Sequence, residues 1–247
     1  MITSKLFERV ATASVEVRNF ALVTHAVPAD RVRPHLPSSY TLETFVEKGE
    51  ERCLVSATCF CNHGFRWSAT PYPKLTFDES TYRTYVTHRG RRGVYFLRRF
   101  LSRPLAFGPQ RLFEANAALA HFEVETRVDE SGYHAYVHRV QSGATHNHFS
   151  IKAVDDPSAI PPFDDGEEMA QHITYRLHGF FTASAGFQGH MPVSHRRMRP
   201  WAGELLSARF DTWTELGILE EHELTEAHSV LVEPLVQFRL HPPRPLL

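Results

Sequence analysis

The chain has 247 residues, of which 42% are hydrophobic, so it can bury a sizeable core and bulk disorder is excluded. Its formal net charge of −1 argues against broad electrostatic binding to nucleic acid or to an acidic membrane. Three cysteines, no charged-then-apolar leader and no apolar run long enough to span a bilayer predict a cytoplasmic protein.

In chain order, the first part of the sequence indicates strands separated by short breaks. Residues 15–25 alternate as a strand does, and 28–36 begin with a proline and have the spacing of one or two helical turns. We expect strands again at 41–46 and 53–61, whereas 62–73 shows no regular pattern.

The central stretch predicts a β-hairpin. The segments 79–86 (ESTYRTYV) and 94–97 (VYFL) are rich in strand-forming residues and flank a Gly-containing basic turn. Because side chains alternate along a strand, Glu79, Thr81, Arg83 and Tyr85 share one face. A carboxylate, a hydroxyl, a guanidinium and a phenol on one face are costly in a dry core, so this face fits the lining of a cavity.

The second half of the chain continues the strand pattern. Residues 112–120 and 167–177 have the pattern of either a helix or a strand, 214–219 predict a helical turn, and 155–165 predict a surface loop because they hold three prolines and four acids. Further strands are expected at 122–128, 133–140, 146–154, 192–199, 204–213 and 228–240. Many short strands with few helices favour a mostly β (α+β) domain, a closed or strongly curved antiparallel sheet, spanning 1–247 without a linker.

Two of these segments, 79–86 and 93–97, resemble the signature of the YqjF-like bacterial family, domain of unknown function 2071. Weaker matches at 27–45, 175–177 and 193–198 extend the resemblance over about 15–240. This family is grouped with the acetoacetate decarboxylase-like superfamily. The resemblance therefore implies a curved double-sheet β-barrel or cone around a buried pocket.

The superfamily resemblance also implies Schiff-base chemistry, and the residues argue against it. Acetoacetate decarboxylases form an imine through a lysine whose pKa is lowered by a second lysine. Alignment on Gly108 places those two positions near Asn116 and Ala117, which form no imine. The chain has only four lysines, and Lys152 alone lies in a predicted strand from which it could point inward.

Glu79 and Arg83 are the candidate catalytic residues. A guanidinium at an apolar cavity can bind a carboxylate through two parallel hydrogen bonds, and a partly desolvated Glu79 would have a raised pKa suited to general acid–base catalysis. The alternative is that the two side chains pair with each other, or with backbone, to hold the sheet together. The candidate substrate-binding residues are Tyr85, Tyr95, Asn116 and His195.

Two patterns raise the question of a metal site. Cys59, Cys61 and His63 share one face of a strand, and a second set consists of His146 and His148 with either His190 or His195. The first set lacks the usual zinc-knuckle spacing, and buried cysteines and hydrogen-bonded histidines are common in strands. We therefore predict no metal and no cofactor.

Six arginines crowd into residues 89–103. Such a patch could hold the phosphate of a thioester carrier or contact nucleic acid, but basic and aromatic residues do not interleave as in single-strand binders, so a solvated hairpin end is favoured. The acidic segment 155–168 could pair with these arginines across a homodimer interface.

Together these observations predict a pocket protein with a small-molecule ligand. The favoured function is an enzyme of lyase or isomerase type that acts on a small oxo or carboxylic acid by hydration, tautomerisation or cyclisation. The alternatives are a non-catalytic binder of a small apolar acid and a histidine-dependent metalloenzyme.

Overall fold

The computed structural model describes residues 12–69, 72–103, 116–183 and 186–246. The strands of these ranges are β1 Ala13–Pro28, β2 Thr41–Leu42, β3 Thr44–Glu47, β4 Glu50–Trp67, β5 Leu75–His88, β6 Arg91–Leu101, β7 Ala117–Leu119, β8 His121–Asp129, β9 Gly132–Ser142, β10 Thr145–Asp155, β11 His178–Thr182, β12 Gln188–His195, β13 Trp201–Phe210, β14 Ser229–Leu240 and β15 Arg244–Pro245. The helices are α1 Ala29–Val32, α2 Gly166–Thr174 and α3 Asp211–Glu215, with 3₁₀ turns at Arg33–His35 and Glu221–Glu223.

Seven of the strands form a closed ring. They are hydrogen-bonded in the order β12, β11, β6, β5, β4, β1 and β14, and β14 pairs again with β12. The closing seam consists of three residue pairs, which join Val193 to Leu240, Ser194 to Arg239 and His195 to Phe238. Side chains that point into the ring therefore line an enclosed interior.

A second layer branches from the ring at β14. β13 pairs with β14, and β10, β9 and β8 follow in order, so that β8 ends the sheet. Aromatic side chains fill the space between this layer and the outside of the ring. Tyr82 of β5 packs edge-to-face on Trp213 with ring centroids 4.9 Å apart, and Phe149 of β10 lies 6.0 Å from Phe210. The mostly β, curved-sheet fold predicted from the sequence is confirmed.

The central hairpin forms as predicted. β5 and β6 pair antiparallel, and Arg89 and Gly90 connect them with φ angles of 49° and 75°. Positive φ at both central residues is the geometry of the two-residue turn that matches the twist of paired strands. This turn fixes the register from His88 to Arg83, beyond which a bulge shifts the ladder, and alternation along β5 places Glu79, Thr81 and Arg83 on one face at the interior of the ring.

The sheet departs from a wholly antiparallel one at β6, which pairs in parallel with both β7 and β11. Gly93 permits the close approach of β11, because a Cβ atom at this position would lie 2.3 Å from the carbonyl oxygen of His178. A side chain at 93 would push the two strands apart.

The structure shows the conformation of two segments that the sequence left undecided or irregular. β4 continues to Trp67, through a region where the sequence showed no regular pattern. The alternation is hidden there because a bulge between Asn62 and Phe65 interrupts it. The ambiguous segment 167–177 is helical as far as Thr174, and Asp165 caps this helix, α2, by accepting a hydrogen bond from the Glu168 amide at 3.0 Å. Residues 112–115 lie outside the described ranges, and 117–119 form β7. In the described part of the chain, no helix has the length and apolarity needed to cross a bilayer.

Candidate functional site

A cavity of about 70 Å³ lies inside the ring. A water molecule requires roughly 10–15 Å³ by this kind of measure, so the cavity holds several waters or a small organic molecule. Every ring strand contributes to the wall. Its aromatic lining residues are Phe20, Phe60, Phe65, Phe77, Phe96 and Phe238, and its polar ones are Asn62, Glu79, Thr81, Arg83, Arg99, Thr174, Arg176 and His195.

Arg83 is a buried cation in this wall, and no acidic side chain of the described residues lies within ion-pair distance of it. The residue is 8% exposed, and its Nε has no hydrogen-bond partner. Its Nη2 donates a long hydrogen bond of 3.4 Å to the carbonyl oxygen of Ile173, and its guanidinium lies 6.0 Å from the ring centroid of Phe20. Burial lowers the pKa of Arg83, but an arginine remains charged. An unpaired buried guanidinium is a strong anion-binding group.

Glu79 is held at the other end of the polar face. Its Oε1 lies 2.8 Å from Nε of Arg99, and the Asn62 side-chain amide donates to its Oε2 at 3.0 Å. Residues four apart on a strand are separated by roughly 13 Å between Cα atoms. Glu79 therefore has a cation other than Arg83, and no acidic partner of Arg83 is found among the described residues. Of the alternative drawn from the sequence, pairing of Glu79 with Arg83 is wrong, because Glu79 pairs with Arg99. Its other form, a bond to backbone, is met by Arg83, which donates to the Ile173 carbonyl.

The charge of the wall favours an anion. Among the described lining residues, Glu79 and Arg99 form one pair, Arg176 is bound to Glu43, and Arg83 adds one uncompensated positive charge. Aromatic rings surround these groups and lower the local dielectric, which strengthens electrostatic attraction inside the cavity. The arrangement suits a ligand with one negative charge and an apolar or unsaturated body.

His195 completes the polar wall beside the closing seam. Its ring stacks on Phe238 with centroids 4.5 Å apart, and its Nδ1 donates to the carbonyl oxygen of Arg196 at 2.7 Å. Burial lowers the pKa of His195, and the positive charge of Arg83 lowers it further. The imidazole is therefore neutral near pH 7, and its Nε2 remains a hydrogen-bond acceptor.

Arg176 separates the cavity from an outer cleft, because its side chain lines both. Both Nη atoms donate to the Glu43 carboxylate at 3.0 and 2.9 Å. The same carboxylate accepts two hydrogen bonds of 3.0 Å from Arg92 and lies 3.3 Å from Nε2 of His172. Glu43 thus fixes the side chain that closes this side of the cavity.

We expect Glu43→Gln to lower the free energy of unfolding at pH 7 by about 2 kcal/mol, because two arginines lose a charged acceptor. Burial raises the pKa of Glu43, but the hydrogen bonds from His172, Arg92 and Arg176 outweigh it and hold the pKa well below the ordinary value of 4.5. A depressed folded-state pKa stabilises the protein above the unfolded-state pKa, and this contribution is lost as the pH falls.

The difference in the free energy of unfolding between wild type and Glu43→Gln should therefore become smaller as the pH falls below about 4.5. Chemical denaturation at pH 7, 5, 4 and 3.5 measures it. A difference that is constant or grows in acid would show that Glu43 is not the ionised centre of this network.

Three of the predicted substrate-binding residues lie off the cavity. Tyr95 points to the opposite face from Val94 and Phe96, and its hydroxyl contacts Oγ1 of Thr182 at 2.5 Å. Asn116 is an exposed turn residue whose carbonyl accepts from the Arg99 amide at 3.0 Å. Tyr85 shares the polar face, but its hydroxyl is engaged by Ser56 at 2.7 Å, so it supports the wall without lining it.

Lysine is absent from the wall that the described residues form. Lys152, the one lysine that the sequence allowed to point inward, is exposed, as are Lys48 and Lys74. The Gly108 segment used for the superfamily alignment lies outside the described residues, apart from Asn116 and Ala117. An imine mechanism has no amine in the described part of this site.

Sequence reasoning missed Arg99, Asn62 and Arg176. Arg99 was grouped with the arginines of the hairpin turn, yet it is 5% exposed and pairs directly opposite Thr81. Strand alternation from Val94 would have failed to place it, because a bulge near Arg98 shifts the register. The six arginines therefore do not form one patch: Arg89 and Arg91 are exposed, whereas Arg92 is bound to Glu43.

In the described ranges, no three His, Cys, Asp or Glu side chains converge as metal ligands. Cys59 is fully buried, and burial raises the pKa of its thiol. His178 and His190 do contact each other at 2.9 Å, but they form only a pair.

The fold is similar to that of solved structures of the acetoacetate decarboxylase-like class. The enduracididine biosynthesis enzyme MppR complexed with pyruvate matches with a TM-score of 0.65 and 13% identity, covering 96% of this chain and 90% of that one. An acetoacetate decarboxylase-like enzyme from Sphingomonas wittichii RW1 matches with a TM-score of 0.62 and 13% identity over 96% and 93%. Acetoacetate decarboxylase from Legionella pneumophila matches with a TM-score of 0.61 and 14% identity over 96% and 88%.

Within this class, the chain belongs to the DUF2071 family, described as an uncharacterized conserved protein, whose model matches residues 14–237. The family resemblance read from the sequence is thereby confirmed. No curated protein matches the chain. At these identities, the structural neighbours show the fold alone.

Proposed function

We propose that the ring cavity binds a small carboxylic acid and that the Arg83 guanidinium donates hydrogen bonds to its carboxylate. The observation that supports this most directly is the buried guanidinium of Arg83, which has no acidic partner in the described residues and an unpartnered Nε. A carboxylate that accepts two hydrogen bonds would remove the desolvation cost of this cation. The pyruvate bound by one structural neighbour is a ligand of this chemical class.

We further propose that the protein is an enzyme in which Glu79 moves a proton at the carbon chain of the bound acid. Arg99 stabilises its carboxylate form, which accepts a proton, and Asn62 holds its other oxygen in place. His195 offers a neutral acceptor on the opposite wall. Hydration, tautomerisation or cyclisation of a small oxo acid needs only such proton transfers, and no imine.

The second candidate is a non-catalytic binder of a small apolar acid. Six phenylalanines line the cavity, which favours affinity for an aromatic or aliphatic body over polar chemistry. In both cases we infer a cytoplasmic protein, since Cys53, Cys59 and Cys61 are free thiols. Neither candidate requires a metal, a cofactor or nucleic acid.

The test combines binding with an exchange reaction. Wild type, Arg83→Met and Glu79→Gln are titrated calorimetrically with a panel of two- to eight-carbon oxo and simple carboxylic acids. The same acids are incubated with each protein in D₂O, and proton NMR follows loss of the hydrogens next to the carbonyl group. The methyl esters of the acids serve as uncharged controls.

The enzyme proposal expects an acid that binds wild type, fails to bind Arg83→Met, and still binds Glu79→Gln but no longer exchanges its hydrogens. Binding without exchange by wild type across the panel supports the binder. Equal affinity of the acids and their esters, or unchanged affinity in Arg83→Met, would refute carboxylate recognition by Arg83.

A further inference from the structure

The strand β8 leaves one edge of the sheet open. In the described ranges it pairs only with β9 and ends the strand order. Its nine residues extend over roughly 30 Å, and every second residue turns its N–H and C=O groups outward. Such an edge is a template for another strand.

One face of β8 carries apolar side chains that stay partly exposed among the described residues. Val124 and Val128 are 37% and 44% exposed, although their partners across the ladder, His138 and Tyr133, are buried. Phe122, on the same face, is half-buried. The apolar face of the second layer therefore continues as far as the open edge at β8. A further strand paired with β8 would cover these exposed valines.

The other face of β8 carries an ordered series of charges: His121, Glu123, Glu125, Arg127 and Asp129. Within the chain, Arg139 lies 3.1 Å from Glu125 and 3.6 Å from Glu123. These side chains are at least half exposed, and exposed pairs contribute little to stability. The charges remain able to select a partner strand.

We propose that β8 pairs antiparallel with β8 of a second copy of this chain, about a two-fold axis through Glu125. In this register Glu123 faces Arg127 twice, and these two ion pairs outweigh one contact between the two Glu125 side chains. His121 faces Asp129 twice, which places a hydrogen-bonding side chain opposite each of these carboxylates. Centring the axis on Val124 would place Glu123 against Glu125 twice. Centring it on Thr126 would place Glu123 against Asp129 twice and Glu125 against Arg127 twice, so the repulsive and attractive contacts would cancel. Charge complementarity thus selects one register.

The apolar face is complementary in the same register. Phe122 lies opposite Val128 and Val124 opposite Thr126, so both exposed valines gain a cross-strand neighbour. The two second layers become one continuous sheet, with the isologous contact of a two-fold dimer. The proposal is independent of the ring cavity, because no β8 residue lines it.

Sedimentation velocity across a concentration series tests the pairing. We expect wild type to dimerise reversibly, Glu123→Arg to weaken the dimer at least tenfold because two attractive pairs become repulsive, and Glu123→Arg with Arg127→Glu to restore affinity to within about threefold. Glu125→Thr should tighten the dimer, since it removes the one like-charge contact. Circular dichroism confirms that each surface variant is folded.

Cysteine cross-linking tests the register. Glu125→Cys faces itself across the axis and should give a disulfide-linked dimer, because Cα atoms of opposite residues lie about 4.5–5.5 Å apart. Glu123→Cys and Arg127→Cys should link when mixed, and neither should link alone. A wild type that stays monomeric at every concentration, a dimer indifferent to Glu123→Arg, or a different cross-linking pattern would overturn the proposal.

Discussion

Replacing Arg83 by methionine is expected to abolish carboxylate binding and to stabilise the empty protein. A buried charged hydrogen-bonding pair that loses one partner costs roughly 3 kcal/mol or more, which corresponds to at least a hundredfold in Kd. The same change removes a buried cation that has no acidic partner in the described residues, and methionine fills a similar volume. We therefore expect the free energy of unfolding to rise by about 1 kcal/mol and Tm by about 2–4 °C.

Calorimetric titration and thermal unfolding of the ligand-free proteins measure the two effects. Arg83→Lys is the matched control, since it keeps the charge but loses the planar fork, and it should bind with intermediate affinity. A marked loss of stability in Arg83→Met would show that this arginine holds the fold together and is not kept for a ligand.

Replacing Arg99 by methionine should have the opposite effect on stability. It removes the cation 2.8 Å from Glu79, which is 7% exposed, and breaking a buried ion pair by removing one partner costs about 3–5 kcal/mol. Urea denaturation should therefore show a large drop in the free energy of unfolding.

A double-mutant cycle isolates the pair. Glu79→Gln combined with Arg99→Met should be more stable than Arg99→Met alone, because the neutral amide needs no cation. Arg98→Met, one residue away and only half-buried, is the matched control and should change stability by less than about 0.5 kcal/mol. Strictly additive changes in the cycle would contradict an energetic coupling between Glu79 and Arg99.

The strand pattern in the sequence predicted the polar face of β5, but it did not predict which side chain pairs with Glu79. Alternation alone places Glu79, Thr81 and Arg83 on one side of β5, and the structure places all three at the cavity. The partner of Glu79 comes from β6 and depends on a bulge between Tyr82 and Arg83 that shifts the ladder. A local pattern carries no information about such a shift between strands.

Contacts between residues far apart in the sequence could not be predicted from the strand pattern either. Arg176 lies 133 residues after Glu43, and the two meet only because α2 and the chain that follows it close one end of the ring. Tyr95 was misplaced for a simpler reason. A tyrosine in a strand has two faces to choose from, and only the packing of Val94 and Phe96 into the cavity shows which one it takes.

The seam between β12 and β14 has a consequence for ligand size. Only three residue pairs join these strands, whereas β1 and β14 share eleven, and Val193, His195, Phe238 and Leu240 at the seam also line the cavity. Separating β12 from β14 breaks fewer hydrogen bonds than separating β1 from β14. Because residues of the β12–β14 seam line the cavity, their separation would widen the cavity directly. The dimensions of the closed chamber are therefore a lower bound on the molecules it can admit.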